Sequence, residues 1–217
     1  MMERVTKMNK ETRSLDFEVR AEQNDQHGTY LAGTPIVFNQ VTDLGFFREV
    51  IDAGALDKTD LRDVRFLVGH DTSMIPLARS RNNNENSTMQ LMVNENGMDI
   101  RVDLDVEGNP RAKELYSAVK RGDISGMSFM FTVDKDAWED LESAQPLRRI
   151  TSISRVFEVS AVTFPAYEGT NLQAASEDSA LESARRKAEE ERAAAAEAER
   201  RTALIERLNN LKGGKEE

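Results

Sequence analysis

Few residue types in this sequence could catalyse hydrolysis without a metal ion or a thiol. The 217 residues include no cysteine and two histidines, His27 and His70, which excludes disulfides, thiolate metal sites, cysteine nucleophiles and histidine-rich metal sites. Covalent catalysis would then need a serine or threonine hydroxyl beside a base, and histidine is the best base near neutral pH. His70 ends the apolar segment 64–69, which is typical of a buried strand, so its side chain leaves the core at a fixed place. His27 lies in a polar turn, which favours a solvated role, and a structural role for His70 is the open alternative.

Ser128 is the serine whose surroundings best suit a nucleophile. Its two apolar neighbours occupy one face of a predicted strand, 126–133, and place Ser128 on the other face. Gly126 would let a substrate backbone approach closely. Ser125, in the preceding turn, is a weaker candidate, and a small residue packed on a strand is the structural alternative for Ser128.

Glu158 is unusual because it stands inside an apolar segment, 156–162. Burial of a carboxylate is costly unless a partner satisfies it. An imidazole is such a partner, because the carboxylate fixes the ring tautomer and stabilises the imidazolium form. Exposure on an edge strand, or an ion pair with Arg155, is the alternative interpretation.

Composition and charge argue against several other classes of function. The chain has 29 Lys and Arg against 39 Asp and Glu, a net charge of -10, which argues against sequence-independent binding of nucleic acid. No apolar run approaches the roughly 18–20 residues of a membrane helix. Residues 1–14 lack the apolar core of a signal peptide, so we expect a soluble protein that acts inside a cell. Asp103 and Asp105 share one face of a predicted strand, but a solvated edge explains them as well as a metal site does, and no metal or cofactor is predicted.

Strands dominate the elements that would position these residues. Extended segments are predicted at 14–19, 30–38, 64–69, 89–93, 98–104, 126–133 and 150–164, the last with a possible bend. The Asn-Glu-Asn-Gly segment at 94–97 predicts a hairpin turn. Asn109 as N-cap, Pro110 at the first position and Gly122 at the end predict one helix, and 46–51 is a predicted short helix. The pattern indicates an α+β or β-barrel-like domain.

Residues 176–217 differ sharply in composition from the rest. They contain 11 acidic and 9 basic residues and no Val, Phe or Tyr, and 180–211 is a predicted helix that Gly213 and Gly214 end. Its apolar seam is too weak to indicate a coiled coil. A solvated helix held by Glu–Arg pairs and a helix that becomes ordered only in an assembly are the two interpretations.

Three segments, in this order, carry a resemblance to a known family. They are Gly-His-Asp at 69–71, Lys-Arg-Gly-Asp-Ile-Ser-Gly-Met-Ser-Phe at 120–129, and Phe-Glu-Val-Ser-Ala-Val-Thr-Phe-Pro-Ala-Tyr at 157–167. Residues 31–56 add a fourth, N-terminal similarity. In order and spacing the segments resemble the prohead maturation serine proteases of tailed phages (Caudovirales), over roughly residues 12–172.

The resemblance implies a herpesvirus-assemblin-like fold, a β-barrel core with surrounding helices, followed here by the charged C-terminal helix. It implies His70 as general base and Ser128 as nucleophile. The third catalytic residue of the herpesvirus relatives is a second histidine, whereas Glu158 occupies that place in this sequence, so its orienting role is an inference. No cofactor is implied.

The implied activity is that of a serine endopeptidase that cuts scaffold or capsid-protein extensions, and itself, during phage prohead maturation. It would work in the host cytoplasm, inside the prohead, with the major capsid protein and a scaffold protein or domain as partners, and as a homo-oligomer. Two other classes remain: an inactive scaffolding protein on the same fold, and a carbohydrate- or peptide-binding β module. The second lacks an aromatic platform, since Trp138 is the only tryptophan.

The expected organisation has three parts: a flexible N-terminus at 1–13, a prohead protease domain at 14–172 and a charged helical tail at 173–217. Because the tail carries no catalytic motif and almost no core-forming residues, catalysis should not need it. We expect it to target the protease to the scaffold or capsid interior, with self-cleavage between about residues 171 and 183.

Overall fold

The computed structural model describes residues 10–15, 19–25, 27–163 and 171–213. The chain divides into two compact units, Met1–Ser176 and Glu177–Glu217. The strands are β1 (Glu11–Leu15), β2 (Arg20–Asn24), β3 (Gly28–Val37), β4 (Thr42–Asp43), β5 (Arg48–Ile51), β6 (Val64–Val68), β7 (Ala78–Ser80), β8 (Met89–Asn94), β9 (Gly97–Asp103), β10 (Gly126–Glu139) and β11 (Leu147–Val162). The helices are α1 (Pro110–Arg121) and α2 (Asn171–Gly213).

Two sheets make up the first unit. The larger has the strand order β1-β10-β11-β5-β4, and β11 also pairs with β6, which pairs with β7. The smaller has the order β2-β3-β9-β8. One apolar core draws on both sheets and on α1. Its fully buried side chains include Ile36, Phe66, Met89, Met98, Met127, Phe129, Phe131 and Val159.

The α+β class is confirmed, but among the described residues the strands form two open sheets rather than a closed barrel. The reason lies in β11, which pairs with β5 through Leu147–Ile150 and with β6 through Glu158–Ala161, both parallel. Because one long strand shares the same edge between two partners, the sheet branches there instead of curling onto its first strand. The barrel expectation is therefore wrong for the described part of the chain.

Local signals located α1 correctly. The Asn109 side chain accepts a hydrogen bond from the Arg111 N–H, Pro110 opens the helix, and Gly122 ends it with a left-handed φ of 80°. The hairpin predicted at 94–97 joins β8 and β9, with Gly97 opposite Asn94. Tertiary packing did not override these two local signals.

The short helix expected at 46–51 is wrong, because Arg48–Ile51 forms strand β5. Parallel pairing with β11 supplies backbone hydrogen bonds, and Val50 and Ile51 are buried there. The predicted tail helix is present, but it starts at Asn171 rather than at residue 180. No helix in the described ranges combines the length and hydropathy that a membrane crossing requires.

A buried ionic cluster ties β1 to the sheet. Arg13 donates to both oxygens of Glu49, from Nε at 2.6 Å and from Nη2 at 2.7 Å, and Nη2 also donates to Glu11 at 2.7 Å. Arg148 donates to Glu11 at 2.6 and 2.9 Å and to Asp136 at 2.7 Å. Residues 11–13, which were expected to belong to a flexible segment at 1–13, are instead part of β1, which these ion pairs hold to the sheet.

The charged forms of Glu11 and Arg13 are favoured despite burial. Burial opposes the charge of Glu11, but hydrogen bonds and the positive charge of Arg148 and Arg13 outweigh it, so the pKa of Glu11 lies below its ordinary value. Burial likewise opposes the charge of Arg13, and Glu49 followed by Glu11 outweighs it, which raises the pKa of the Arg13 guanidinium. Each ion therefore depends on its partners, and losing one partner leaves an uncompensated charge inside the sheet.

Glu49→Ala should lower the free energy of unfolding by about 3–5 kcal/mol, because it removes one partner of a buried ionic cluster. The matched control is Glu139→Ala, which removes the half-exposed partner of Arg149 and should cost less than about 1 kcal/mol. Urea denaturation of both variants measures the difference. Equal losses would show that the buried cluster does not anchor β1.

Candidate active site

Three neighbouring strands bring the predicted site residues together. On β10, Ser128 lies directly opposite Ser160 of β11, and Ser160 in turn lies opposite Leu67 of β6. Directly paired residues point to the same face of a sheet, with their Cβ atoms about 5 Å apart in an antiparallel pair. His70 follows the end of β6 by two residues. The sheet therefore places Ser128, Ser160 and the His70 turn side by side.

A β-bulge in β11 aims Glu158 at this face. Phe131 pairs with Val156 and Met130 with Glu158, so Phe157 is an extra residue without a partner on β10. Strict alternation would put Val156 and Glu158 on one face. The bulge shifts the register, so that Val156 joins the apolar core while Glu158 shares the face of Ser160.

His70 and Glu158 form a close pair. Nδ1 of His70 lies 2.5 Å from Oε1 of Glu158, and the Glu158 side chain is only 3% exposed. Because a carboxylate can only accept, the short contact assigns a proton to Nδ1 and leaves Nε2 of a neutral ring as the acceptor. That Nε2 atom is buried and has no hydrogen-bond partner among the described residues. The interpretation of Glu158 as a partner of His70 thus fits the geometry, and its alternatives, an exposed edge position or an ion pair with Arg155, do not.

The turn that carries His70 has an uncommon backbone. Gly69 and His70 both have φ near 60°, which is left-handed, and for a residue other than glycine this conformation costs about 1–2 kcal/mol. Two hydrogen bonds hold the turn against β11: Gly69 N–H donates to the Ala161 carbonyl at 2.9 Å, and His70 N–H donates to Ser160 Oγ at 3.1 Å. With this backbone conformation, the imidazole lies within hydrogen-bonding distance of Glu158.

Ser128 is fully buried and bonded to β1. Its hydroxyl donates to the Arg13 carbonyl oxygen at 2.8 Å and accepts from Ser14 Oγ at 2.8 Å. In the described part of the chain, no hydrogen bond joins Ser128 to His70. The nucleophile candidate and the base candidate therefore lie on the same face of the sheet without a hydrogen bond between them.

The other candidates lie elsewhere or have other partners. Ser125 is exposed, and its carbonyl accepts from the Val19 N–H. Asp71 accepts from the hydroxyl and the N–H of Ser73, and these two hydrogen bonds lower the pKa of the exposed Asp71 carboxyl. Among the described residues, no hydrogen bond joins either side chain to His70 or Glu158.

The remaining polar residues singled out in the sequence belong to the smaller sheet and its surroundings. His27 stands in the turn between β2 and β3, with its ring 3.4 Å from Arg101. Asp103 pairs with Arg101, whereas Asp105 lies beyond the end of β9 and accepts from the Gly108 N–H. The two aspartates thus do not share a strand face, contrary to the expectation for this pair.

Two serines in the site were missed by sequence reasoning. Ser160 touches both His70 and Glu158, and Ser14 touches Ser128. For Ser160 a signal existed, because it stands two residues after Glu158 in a strand and must share its face. For Ser14 no local signal existed, since only the pairing of β1 with β10 places it opposite Ser128.

Comparison with known proteins identifies the family. The model of the caudovirus prohead serine proteases matches residues 15–184, a span that includes Ser128, His70 and Glu158. The chain belongs to this family. Among solved structures, the capsid assembly protease gp21 of bacteriophage T4 aligns with 70% of this chain and 98% of its own, at 12% identity and a TM-score of 0.38. No curated protein sequence matches the chain.

The described residues of this prohead serine protease provide three chemical parts. They are a carboxylate in contact with an imidazole, a second ring nitrogen without a hydrogen-bond partner among them, and a serine hydroxyl on the strand paired with that of Glu158. These parts match the general pattern of a nucleophile, a base and a group that orients the base.

Glu158→Gln should leave the fold largely intact but lower the rate of proteolysis by up to about 10⁴-fold, the cost of a misplaced histidine tautomer in a serine protease. The reason is that an amide cannot stabilise the imidazolium as a carboxylate does. Steady-state cleavage of a peptide substrate measures the rate, and circular dichroism checks the fold. A rate within a few-fold of wild type would make Glu158 a structural residue only.

Proposed function

We propose that this chain is a serine endopeptidase in which Ser128 is the nucleophile, His70 the general base and Glu158 the group that orients His70. The observation that carries the proposal is the 2.5 Å contact between His70 Nδ1 and Glu158, with a buried Nε2 that has no hydrogen-bond partner among the described residues. Ser128 lies on β10, the strand paired with the one that bears Glu158. The motif resemblance supports His70 and Ser128, the role of Glu158 is inferred from its position, and the family match spans all three residues.

The reaction begins with a proton transfer inside the site. The Ser128 hydroxyl turns from the Arg13 carbonyl to His70 Nε2, which takes its proton as Oγ attacks the scissile carbonyl carbon. The imidazolium then gives that proton to the leaving amine as the C–N bond breaks, and an acyl-enzyme remains. Water, deprotonated by Nε2, attacks the acyl carbon, the bond between that carbon and Ser128 Oγ breaks, and Oγ takes the proton back from His70 as the carboxylic acid product leaves. Glu158 stays ionised throughout and stabilises the imidazolium.

The hydrogen bonds of Ser128 describe a resting arrangement. Its proton is directed to Arg13 and its oxygen accepts from Ser14, so engagement of His70 requires a rotation of the Ser128 side chain. This arrangement is also what an inactive scaffolding protein on the same fold would show. Activity of the purified chain separates the two functions.

We further propose that the substrates are extensions of the scaffold or of the major capsid protein, cut inside the prohead in the infected cell. Self-cleavage belongs to the same proposal. The segment expected to be cut, 171–183, forms the start of α2. Since a protease needs an extended substrate, the first turns of α2 would have to unwind before such a cut.

The tail has features that suit a targeting role. Between residues 191 and 207 its described side chains are all exposed, and they include two large apolar ones, Leu204 at 60% and Ile205 at 49% exposure. Exposed apolar side chains on an otherwise polar helix provide a contact for a partner helix or groove. We propose that this part of α2 binds the scaffold or the capsid interior.

Ser128→Ala should abolish cleavage of a capsid or scaffold substrate without unfolding the protein, because it removes one hydroxyl from a strand. His70→Ala should be as damaging, and the double variant scarcely worse, since the two residues act as one unit. The matched control His27→Ala alters the other histidine and should stay close to wild type. Incubation of each purified variant with the capsid protein, followed by electrophoresis, measures the effect.

Two outcomes would contradict this assignment. If Ser128→Ala cleaves the substrate at the wild-type rate, Ser125 becomes the next candidate for the nucleophile, and a Ser125→Ala variant tests it. An inactive wild-type chain, under conditions where its phage matures normally, would favour the scaffolding function.

Removal of residues 185–217 should preserve peptide cleavage in solution but lower the number of protease copies inside proheads. The truncation keeps the whole span that matches the family, 15–184, and removes the exposed part of α2. Quantitative blotting of purified proheads, with full-length protein in parallel, measures incorporation. Undiminished incorporation would show that targeting lies in the protease domain.

A further inference from the structure

Ser160 is the polar side chain that connects the two ends of the His70–Glu158 pair. It is fully buried. Its hydroxyl donates to Oε2 of Glu158 at 2.5 Å, while its oxygen accepts from the backbone N–H of His70 at 3.1 Å. Together with the contact between Oε1 and Nδ1, these bonds form a closed hydrogen-bond network of Ser160, the Glu158 carboxylate, and the imidazole and backbone of His70.

The two hydrogen bonds of Ser160 each stabilise one feature of this network. Oε2 of Glu158 is the carboxylate oxygen that does not face His70, and a buried anionic oxygen without a donor is strongly disfavoured. The His70 backbone is held at a left-handed φ of 60°, where a tether to β11 prevents relaxation of the turn. One hydroxyl therefore fixes both the rotation of the carboxylate and the position of the imidazole.

We propose that Ser160 is a positioning residue for proteolysis, acting through Glu158 and His70 without touching the substrate. The proposal rests on the proposed function of these two residues. Ser160 lies opposite Ser128 in the pairing of β11 with β10, and a small displacement of His70 would change the reach of Nε2 toward that nucleophile. Geometric errors of about 1 Å in a catalytic group can cost about 10²-fold in rate.

The kinetic test compares Ser160→Ala with Ser154→Ala. Ser154 lies on the same strand, six residues before Ser160, and its hydroxyl bonds to Thr132, so the control also loses hydrogen bonds of a serine on β11. Ser160→Ala should lower kcat by ~10- to 100-fold with KM little changed, and Ser154→Ala should remain within a few-fold of wild type. In a Glu158→Gln background, Ser160→Ala should cause almost no further loss, because both changes disable the same unit.

A spectroscopic test does not depend on activity. In the Ser128→Ala protein, the proton on His70 Nδ1 should give a far-downfield NMR resonance, as expected for a short hydrogen bond to a carboxylate. Adding Ser160→Ala should shift this resonance upfield or broaden it away, and adding Ser154→Ala should not. If Ser160→Ala fails to fold, Ser160→Cys, which keeps the shape but donates weakly, should show an intermediate effect in both tests.

The outcomes separate the two proposals. An unchanged kcat and an unchanged Nδ1 resonance in Ser160→Ala would overturn the role of Ser160 and leave the nucleophile assignment standing. Equal losses in Ser160→Ala and Ser154→Ala would reduce the role to strand stability and also overturn it. Full activity of Ser128→Ala would instead refute the proposed mechanism. The resonance of the His70 Nδ1 proton would still show whether Ser160 stabilises the hydrogen-bond network of His70 and Glu158.

Discussion

The Glu158 carboxylate is almost completely buried, and each of its oxygens has a hydrogen-bonding partner, His70 Nδ1 on one side and Ser160 Oγ on the other. A buried carboxylate is tolerated only with such partners, so the elements that supply them must hold fixed positions. Strand β6 has to end at Val68, and the turn after it has to adopt left-handed backbone angles. The strained turn and the serine on β11 thus follow from one buried charge.

Strand β11 serves two purposes along its length. Its first half carries Arg148 into a buried ionic cluster and pairs with β5, and its second half carries the candidate site and pairs with β6. Four register shifts against β10 lie between these halves, and the one at Phe157 puts Val156 and Glu158 on different faces of the strand. A bulge between an anchored half and a functional half lets the protein aim Glu158 without disturbing the packing of Val156.

Strand β1 connects the ionic cluster to the nucleophile candidate. Arg13 points to the cluster, where Glu49 holds it, while its carbonyl oxygen and the next side chain, Ser14, bond to Ser128 on the opposite face. The cluster therefore fixes the strand that sets the orientation of the Ser128 hydroxyl. Buried ion pairs add little net stability compared with apolar packing, and here they link the edge strand β1 to β5 and β11.

The sequence by itself determined the features that depend on near neighbours. These are the capped helix α1, the Asn-Gly hairpin, the buried strand before His70 and the long charged helix, along with His70, Ser128 and Glu158 as candidates. Only the tertiary structure decided which partner each strand takes, because pairing between distant segments leaves no local pattern. In the folded chain Arg48–Ile51 is strand β5 and not part of a helix, and the strands form open sheets where a barrel was expected. Folding also places the bulge at Phe157 and brings Ser14 and Ser160 to the site. The physical reason is that a buried polar group is satisfied by donors and acceptors far away in sequence, and folding alone brings them within hydrogen-bonding distance.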